Sequence, residues 1–424
     1  MANKVAFGSR ASGATQAGRD SLSLSFRVGQ RVTDAGRALL ERYDWKNGGF
    51  GGAPKTPEPA AAEFLLALGL RTGTPFALKA AVRSLSMLPK SELCDPVEGG
   101  YFEHCARAAW KEPHTRKTLA TNAALLQAFA VAAGWTGDGE LRRAATETAA
   151  YIDGTLSVRG GNGWAEGQAA DEEYYALMRH RRTARGPPEV EGVADGELSA
   201  RAVSALVRAG ICLGEPRWVA RARLAFDDLG GKRAGKVPDF GEAEALTTAA
   251  LDLHCATGKA DWLTRAAAFA EAVPRRGAAD LPASPSGVQY GRAAGALLRM
   301  AVAVDDAKLA AHGRGLLGPA GRGLEGATVA TVAAYGMAAM CKDAGTLEVC
   351  WGGGRVEGAP APQAALAMAW ALGPPVLTVE GGEAGSPSVG ARFRLDSRRS
   401  EPASTQELLR ARLASIMPLH VELS

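Results

Sequence analysis

Residues 118–156 read TLATNAALLQAFAVAAGWTGDGELRRAATETAAYIDGTL. Two runs in which apolar residues recur at three- and four-residue spacing, the pattern of a helix with a buried face, are separated only by Thr136-Gly137-Asp138. So short a connection turns the second helix back antiparallel on the first, with the glycine taking the left-handed conformation that ends a helix. The same device recurs at Thr72-Gly73-Thr74, Gly214-Glu215-Pro216, Thr257-Gly258-Lys259 and Asp305-Asp306. Periodicity predicts helices over 31–43, 58–71, 75–88, 118–134, 138–156, 195–213, 215–228, 242–257, 259–273, 290–303, 305–315 and 326–343. Strand signals are nearly absent from this region.

The other connections are long and rich in Gly, Pro, aromatic and polar residues: 44–57, 89–117, 157–194, 229–241 and 274–289. With helices alternating in direction, strict alternation of short and long connections puts every long one on the same rim. The helices at 31–43 and 326–343 each lack a sequential partner, and pairing them closes a ring of six hairpins. The expected fold is therefore all-α, an (α/α)6 toroid over residues 31–344 whose inner helices surround a cavity. An open superhelix is the alternative, but its repeats have short loops on both faces.

After residue 345 the texture changes. Thr346 to Trp351 and Pro375 to Val379 read as strands flanking a helix over 362–372, Ala391 to Arg394 as a third strand, and Ser404-Thr405-Gln406-Glu407 as a capping box opening a last helix. Residues 345–424 are expected to form a small α/β appendage. Residues 1–30, rich in Ser, Gly, Ala and Arg, read as a disordered leader, with a transit-like segment directing the chain to an organelle as the alternative.

Composition narrows the function classes. A chain of 424 residues, 46% hydrophobic and 22% charged, has the make-up of a soluble globular protein. Its net charge of +4, scattered along the chain, points to neither nucleic acid nor a membrane surface as partner. No stretch supplies the roughly 18 apolar residues of a membrane helix. Six cysteines without CxxC spacing and six dispersed histidines show no zinc-like cluster, so no metal or cofactor is expected. Buried thiols fit a reducing cytoplasm.

Candidate chemistry concentrates in the long connections. Gly48 to Lys55, with four glycines and a proline, is a backbone bent for close approach: a binding rim or a tight packing corner. The segment Cys94 to His104, then Trp110 to His114, gathers acids, imidazoles and aromatics. Tyr101 and Trp110 suit stacking on a pyranose face, His114 a general acid or base, and Glu103 or Glu98 its partner. An epimerase needs two bases on opposite faces, for which His104 and His114 are the nearby histidines; a hydrolase needs two carboxylates roughly 5 to 10 Å apart, from Glu98 or Glu103 with Asp171 or Glu172. Trp164 beside Glu166, the acidic and aromatic run from Asp171 to Tyr175, and Ser286 at the start of a helix are expected on the same rim. Each also has a structural reading: solvated loop charge, a tryptophan filling a core gap, or a helix cap, the last being the simplest reading of Asp239.

GGFGGAPKTP at 48–57, EGGYFEHCARAAWKEPHTRKTLATNAALL at 98–126, SPSG at 284–287 and the order of the hairpins resemble the YyaL and spermatogenesis-associated protein 20 family of thioredoxin-domain-containing proteins, over about residues 30–415. The resemblance implies an (α/α)6 toroid similar to N-acylglucosamine 2-epimerases and six-hairpin glycosidases, with a sugar-type cleft. It also implies an N-terminal thioredoxin-like domain, for which nothing before residue 30 has room. Of the family's W-x-V-P-H-F-E-K-M-L-Y-D-N-A motif, Trp110, Pro113, His114, Lys117, Leu119, Asn122 and Ala123 match, which makes Asn122 a further binding candidate. Arg116 and Thr121 stand where the motif has acids, Arg107 replaces an acid before the tryptophan, and Val288 ends the family's PSGN. A cysteine pair of the family is lost around Arg394 to Arg399. Exchanging an acid for arginine removes a proton acceptor. The expected function is thus a carbohydrate-active-like toroid that binds a sugar or polyol with catalysis lost. The alternatives are a non-catalytic ligand- or protein-binding relative, an active epimerase or glycosidase-like enzyme using His114, and a scaffold with its cavity filled by Leu, Val and Ala.

Overall fold

The computed structural model describes residues 28–158, 160–232, 236–273, 285–321, 324 and 326–343, and beyond them 348–352, 370, 376–380, 390–395 and 398–399. All twelve expected helices are present to within a few residues at their ends. They are α1 (Gln30–Glu41), α2 (Pro59–Thr72), α3 (Pro75–Ser86), α4 (Leu119–Thr136) and α5 (Gly139–Gly154). After two short helices, α6 (Glu172–Tyr175) and α7 (Arg179–Arg185), come α8 (Gly196–Leu213), α9 (Pro216–Lys232), α10 (Phe240–Thr257) and α11 (Asp261–Ala272). The series ends with α12 (Gly287–Val304), α13 (Ala307–Ala320) and α14 (Val329–Asp343). The two short helices fall inside a connection expected to be irregular; at four and seven residues they are too brief to show a period.

The tight turns take the conformation their residues demand. Gly73, Gly137, Gly214 and Gly258 have φ between 65° and 71°, and Asp305 does the same work at φ 52° without being a glycine. Each hairpin therefore has an inner and an outer arm. Helices α2, α4, α8, α10, α12 and α14 pack in succession, and α14 returns to α2, closing the ring. The outer helices each cover their own inner partner, and α1 lies against α14 as the sixth hairpin.

Closure is held from both sides of the seam. Arg42, just after α1, donates from Nη1 to the Ala327 carbonyl at 2.5 Å and from Nη2 to the Leu324 carbonyl at 3.2 Å. Where α14 meets α2, Gly336 lies so near the Phe64 ring that a Cβ there would sit 2.5 Å from its Cζ. Inner helices are covered on three sides, which is why α8 buries nearly every residue from Ser199 to Leu213 and leaves only a narrow stripe toward the axis.

Among the described residues, the long connections enter the N-termini of inner helices and so reach one rim, as the alternation requires. Two small sheets brace them. The antiparallel hairpin of β1 (Cys105–Arg107) and β2 (Lys111–Pro113) stands beside a three-stranded antiparallel sheet of β3 (Lys117–Thr118), β4 (Gly167–Gln168) and β5 (Val190–Glu191). Toward the C-terminus β6 (Glu348–Gly352) pairs in parallel with β7 (Val376–Glu380) and antiparallel with β8 (Gly390–Leu395), which pairs with β9 (Arg398–Arg399). Strand β7 packs on α10 and α12. Most of the expected helix at 362–372, the one opening at Ser404, and the leader through residue 27 lie outside the described residues.

Gly336→Val should force Phe64 out of the seam and destabilise the fold by roughly 2–3 kcal/mol. Gly315→Ala, at an exposed site on α13 where an added Cβ meets nothing within 4 Å, should leave stability unchanged or raise it by about 0.5–1 kcal/mol. Urea titrations of the two variants check the contrast.

Candidate functional site

Inside the ring is a cavity of about 490 Å³, a size at which small-molecule sites are common. Its wall comes from the six inner helices, with Ala and Gly making up much of it and keeping the space open, and it is crossed by a stripe of charge. In the first turns of the inner helices, Arg201 Nη2 lies 2.7 Å from both Glu197 Oε1 and Glu244 Oε2. Two helical turns further in, Asp252 accepts from Arg208 Nε at 2.9 Å and from Arg299 Nη2 at 2.7 Å. Trp370, from beyond the ring, lies 5.9 Å from the Arg208 guanidinium at this deeper level.

Two groups stand apart from those pairings. Burial pushes the Glu63 carboxyl above its usual range, against the pull of Arg208 at 3.7 Å and of the Gln127 amide, which donates to both its oxygens at 2.8 and 2.9 Å. Arg292 lines the same cavity and makes no ion pair or hydrogen bond among the described residues. Burial, then the neighbouring Arg201 charge, lowers its pKa from the ordinary guanidinium value.

The residues singled out in the connections lie elsewhere, and none lines this cavity. Trp110 is buried: its Nε1 donates to the Asn47 carbonyl at 3.0 Å, the Lys55 ammonium sits 5.2 Å from its ring, and Gly49 packs on its edge. It has no face left for a sugar. Lys55 in turn lies 2.5 Å from Asp44; burial alone would raise that carboxyl, but the Lys55 and Asn47 donors hold it well below the usual range. The Tyr101 side chain is buried as well, its backbone N–H donating to Asn122 Oδ1 at 2.8 Å. Fully buried Asn122 returns Nδ2 to the Tyr101 and Thr118 carbonyls, so it ties the long connection to the start of α4. Trp164 is buried beneath the Arg221 guanidinium at 4.5 Å. Asp171 caps α6 and pairs with Arg185 at 2.9 Å, and Ser286 caps α12 in a capping box with Gln289. Asp239 caps α10, as expected.

Lys117 is the pivot of this rim. Its ammonium reaches Asp95 at 2.7 Å and the Gly99 carbonyl at 2.9 Å within a cage of Phe102, Tyr151 and Tyr175. The other Asp95 oxygen accepts from Arg182 at 2.8 Å. Glu98 accepts from the Tyr174 hydroxyl, and burial raises its carboxyl.

Glu103, His104 and His114 do come together, on the outer hairpin. The two imidazoles stack with centroids 4.9 Å apart and planes 12° from parallel, and His114 Nδ1 lies 3.7 Å from Glu103 Oε2. Stacked rings leave no gap for a sugar carbon between them, so they cannot serve as bases on opposite faces. The cluster of donor atoms, within 4.8 Å of one another, corrects the reading that the chain holds no metal-ligand grouping: the hairpin register assembles what linear spacing hid.

The sequence reading missed the cavity residues because it searched connections. A signal existed: Glu197, Arg201 and Arg208, then Glu244, Thr248 and Asp252, then Arg292 and Arg299, recur at four- and seven-residue spacing within helices otherwise made of Ala, Leu and Val. A charge stripe so placed must face a cavity or cost its burial energy.

A closed ring of six hairpins around a polar cavity is an (α/α)6 toroid. The chain is similar in fold to the cellobiose 2-epimerase of Spirochaeta thermophila DSM 6192, with TM-score 0.57 and 16% identity over 76% of this chain and 98% of that one. It is also similar to a family 76 glycoside hydrolase from a bovine Bacteroides thetaiotaomicron strain, with TM-score 0.54 and 12% identity over 75% and 78% of the two chains. In sequence it resembles spermatogenesis-associated protein 20 of Mus musculus, 31% identical over 137 residues. That match takes in 31% of this chain and 17% of the length of the mouse protein. No protein-family model matches. Among the described residues no helix is long and apolar enough to cross a membrane.

Lys117→Ala should leave Asp95 and Arg182 buried without their central partner and cost roughly 3–5 kcal/mol, measurable by chemical denaturation. Glu58, which precedes α2 on the rim, titrates at about 7 because burial disfavours its charge. Its folded pKa is above the unfolded value, so its stabilisation is complete below the unfolded pKa and disappears as pH rises through about 7. Glu58→Gln should therefore melt higher than the parent at pH 8 and close to it at pH 4, in thermal scans at the two values.

Proposed function

We propose that the ligand site is the central cavity, and that it binds a small sugar or polyol bearing a carboxylate or phosphate. The observation that carries this is Arg292, a guanidinium on the cavity wall without an ion-pair partner among the described residues. A partly buried cation at a concave surface is a site for a ligand anion, which a guanidinium can grip bidentately. The Arg201 cluster with Glu197 and Glu244 offers fixed donors and acceptors for hydroxyl groups. The toroid shared with an epimerase and a glycoside hydrolase supports a carbohydrate ligand.

Glu63 is the group best placed to give a proton: burial moves its carboxyl pKa upward, the direction a general acid requires, against the opposing pull of Arg208 and Gln127. A binding protein without turnover is the second reading. It is favoured by the pairing of Glu197 and Glu244 on one arginine, which engages two of the wall's carboxylates with a cation. The Cys94, Cys105 and Cys212 thiols suit a reducing compartment such as the cytoplasm.

Calorimetric titration with uronic acids, sugar phosphates and their neutral counterparts tests the reading. The acidic ligands should bind at least about tenfold more tightly, and Arg292→Ala should erase that preference. Equal binding of neutral and acidic sugars, or an Arg292→Ala protein with unchanged preference, would overturn it. If any binder is turned over, Glu63→Gln should lower kcat about 100-fold or more while leaving binding in place.

A further inference from the structure

The β1–β2 hairpin projects from the rim with its tip outside the ring, and its register decides what its side chains can do. Cys105 pairs with Pro113 and Arg107 with Lys111, so one step below them His104 stands directly opposite His114. The His114 amide donates to the His104 carbonyl at 2.8 Å, which fixes the pair. Residues directly opposite across an antiparallel ladder project to the same face, which is how two histidines ten positions apart in sequence come to stack. Glu103 joins them, its own amide held by the Arg116 carbonyl at 3.0 Å.

The spacing of the three side chains fits a shared cation. The His114 Nδ1 to Glu103 Oε2 separation of 3.7 Å is beyond a hydrogen bond. It is close to the ~3.4 Å between two donors on a tetrahedral zinc with bonds of about 2.0–2.2 Å. All three donor atoms lie within 4.8 Å of one another, and the two rings, now near-parallel, turn out of their stack to aim their lone pairs at one ion. The backbone beneath is braced: Lys55 and Cys105 exchange both main-chain hydrogen bonds, at 2.8 and 2.9 Å, and Arg107 pairs with Glu112 across the tip at 2.9 Å. Glu103 and His114 are each about two-fifths exposed, so an ion can enter without unfolding and water can complete its coordination.

We propose that Glu103, His104 and His114 form a binding site for one divalent transition-metal ion of the zinc type, with two imidazole nitrogens and a carboxylate as protein ligands and water in the open position. The donor set suits zinc, nickel or copper and disfavours magnesium or calcium, which take oxygen ligands. The site is separate from the central cavity, so its fate is independent of the sugar-binding reading.

The test is titration of the intact chain, prepared without a polyhistidine tag, with Zn²⁺ by calorimetry, and with Co²⁺ by visible absorption. One saturable equivalent is expected, with Co²⁺ bands whose intensity reports nitrogen and oxygen donors without thiolate. His104→Ala/His114→Ala should abolish that equivalent, Glu103→Gln should weaken it about tenfold, and Zn²⁺ should raise the melting temperature of the parent and not of the double variant. Circular dichroism of the double variant shows whether the fold survives. Should it unfold, His104→Gln and His114→Gln singly carry the same test. Absence of a saturable equivalent, binding that persists in a folded variant, or a thiolate signature in the Co²⁺ spectrum would overturn the proposal.

Discussion

Everything in this molecule depends on six helices approaching a common axis closely enough to close, yet not so closely as to fill it. Both halves of that constraint are met by small residues. On the faces that touch, Gly291 lies where an added Cβ would meet the Ala334 main chain at 2.8 Å, and Gly336 leaves room for Phe64. On the face toward the axis, alanines at 123, 124, 245, 296, 333 and 334 stop short of the centre. Larger side chains on the first set would open the ring into a spiral, and larger ones on the second would turn the cavity into core. The scaffold reading, with Leu, Val and Ala filling the middle, meets a different arrangement: the alanines leave a cavity open between them, and what crosses it is charge.

That charge has an energetic cost that the ring must offset. Asp252 is wholly buried and survives as a carboxylate partner only because two arginines, from α8 and α12, meet it at 2.9 and 2.7 Å. Buried pairs of this kind add little net stability over apolar substitutes. They do something different here, by fixing the rotation of α8, α10 and α12 about their own axes, since an arginine turned outward would leave the others uncompensated. The upper cluster of Arg201, Glu197 and Glu244 repeats the arrangement one level nearer the mouth. Between two satisfied layers, Arg292 has no ion pair among the described residues and meets the Glu244, Glu197 and Glu63 carboxylates only at longer range.

The fold was legible because its evidence is local. A turn such as Thr136-Gly137-Asp138 and the long connection after it can be read within a few residues, and their alternation carries the global topology. Asp305 shows the margin of that reading, since a left-handed cap without glycine was still recognised by its brevity. The site was less legible because its parts are far apart in sequence: Glu63, Arg208 and Asp252 meet only after the ring closes. The loop aromatics misled for a related reason. Trp110 beside Lys111, Glu112 and His114 looks like a sugar platform in one dimension, whereas in three dimensions its ring is occupied by Lys55 and Gly49. The donors on the β1–β2 hairpin were read as acid–base candidates and not as one ligand set because pairing register, and not spacing, brings them together.

The residues that carried the family resemblance now have physical roles, and these bear on how far it extends. Trp110 closes over Lys55, Lys117 holds Asp95 inside an aromatic cage, and Asn122 clamps the Tyr101 backbone to α4. Each satisfies buried polar groups of an irregular segment that crosses the rim, a task with few chemical solutions, because an unpaired amide or ammonium there costs several times what a surface contact gains. In this chain the motif's task is to build that connection. It reports the scaffold, and is silent on what the cavity holds. The substitution of Arg116 for an acid supports the same separation: Arg116 points to Glu191 on β5 at 3.5 Å, a half-exposed pair on the outer sheet and not part of the cavity wall. Loss of the acid at Arg116 therefore changes the surface of the rim, so it does not by itself argue that chemistry in the cavity has been lost.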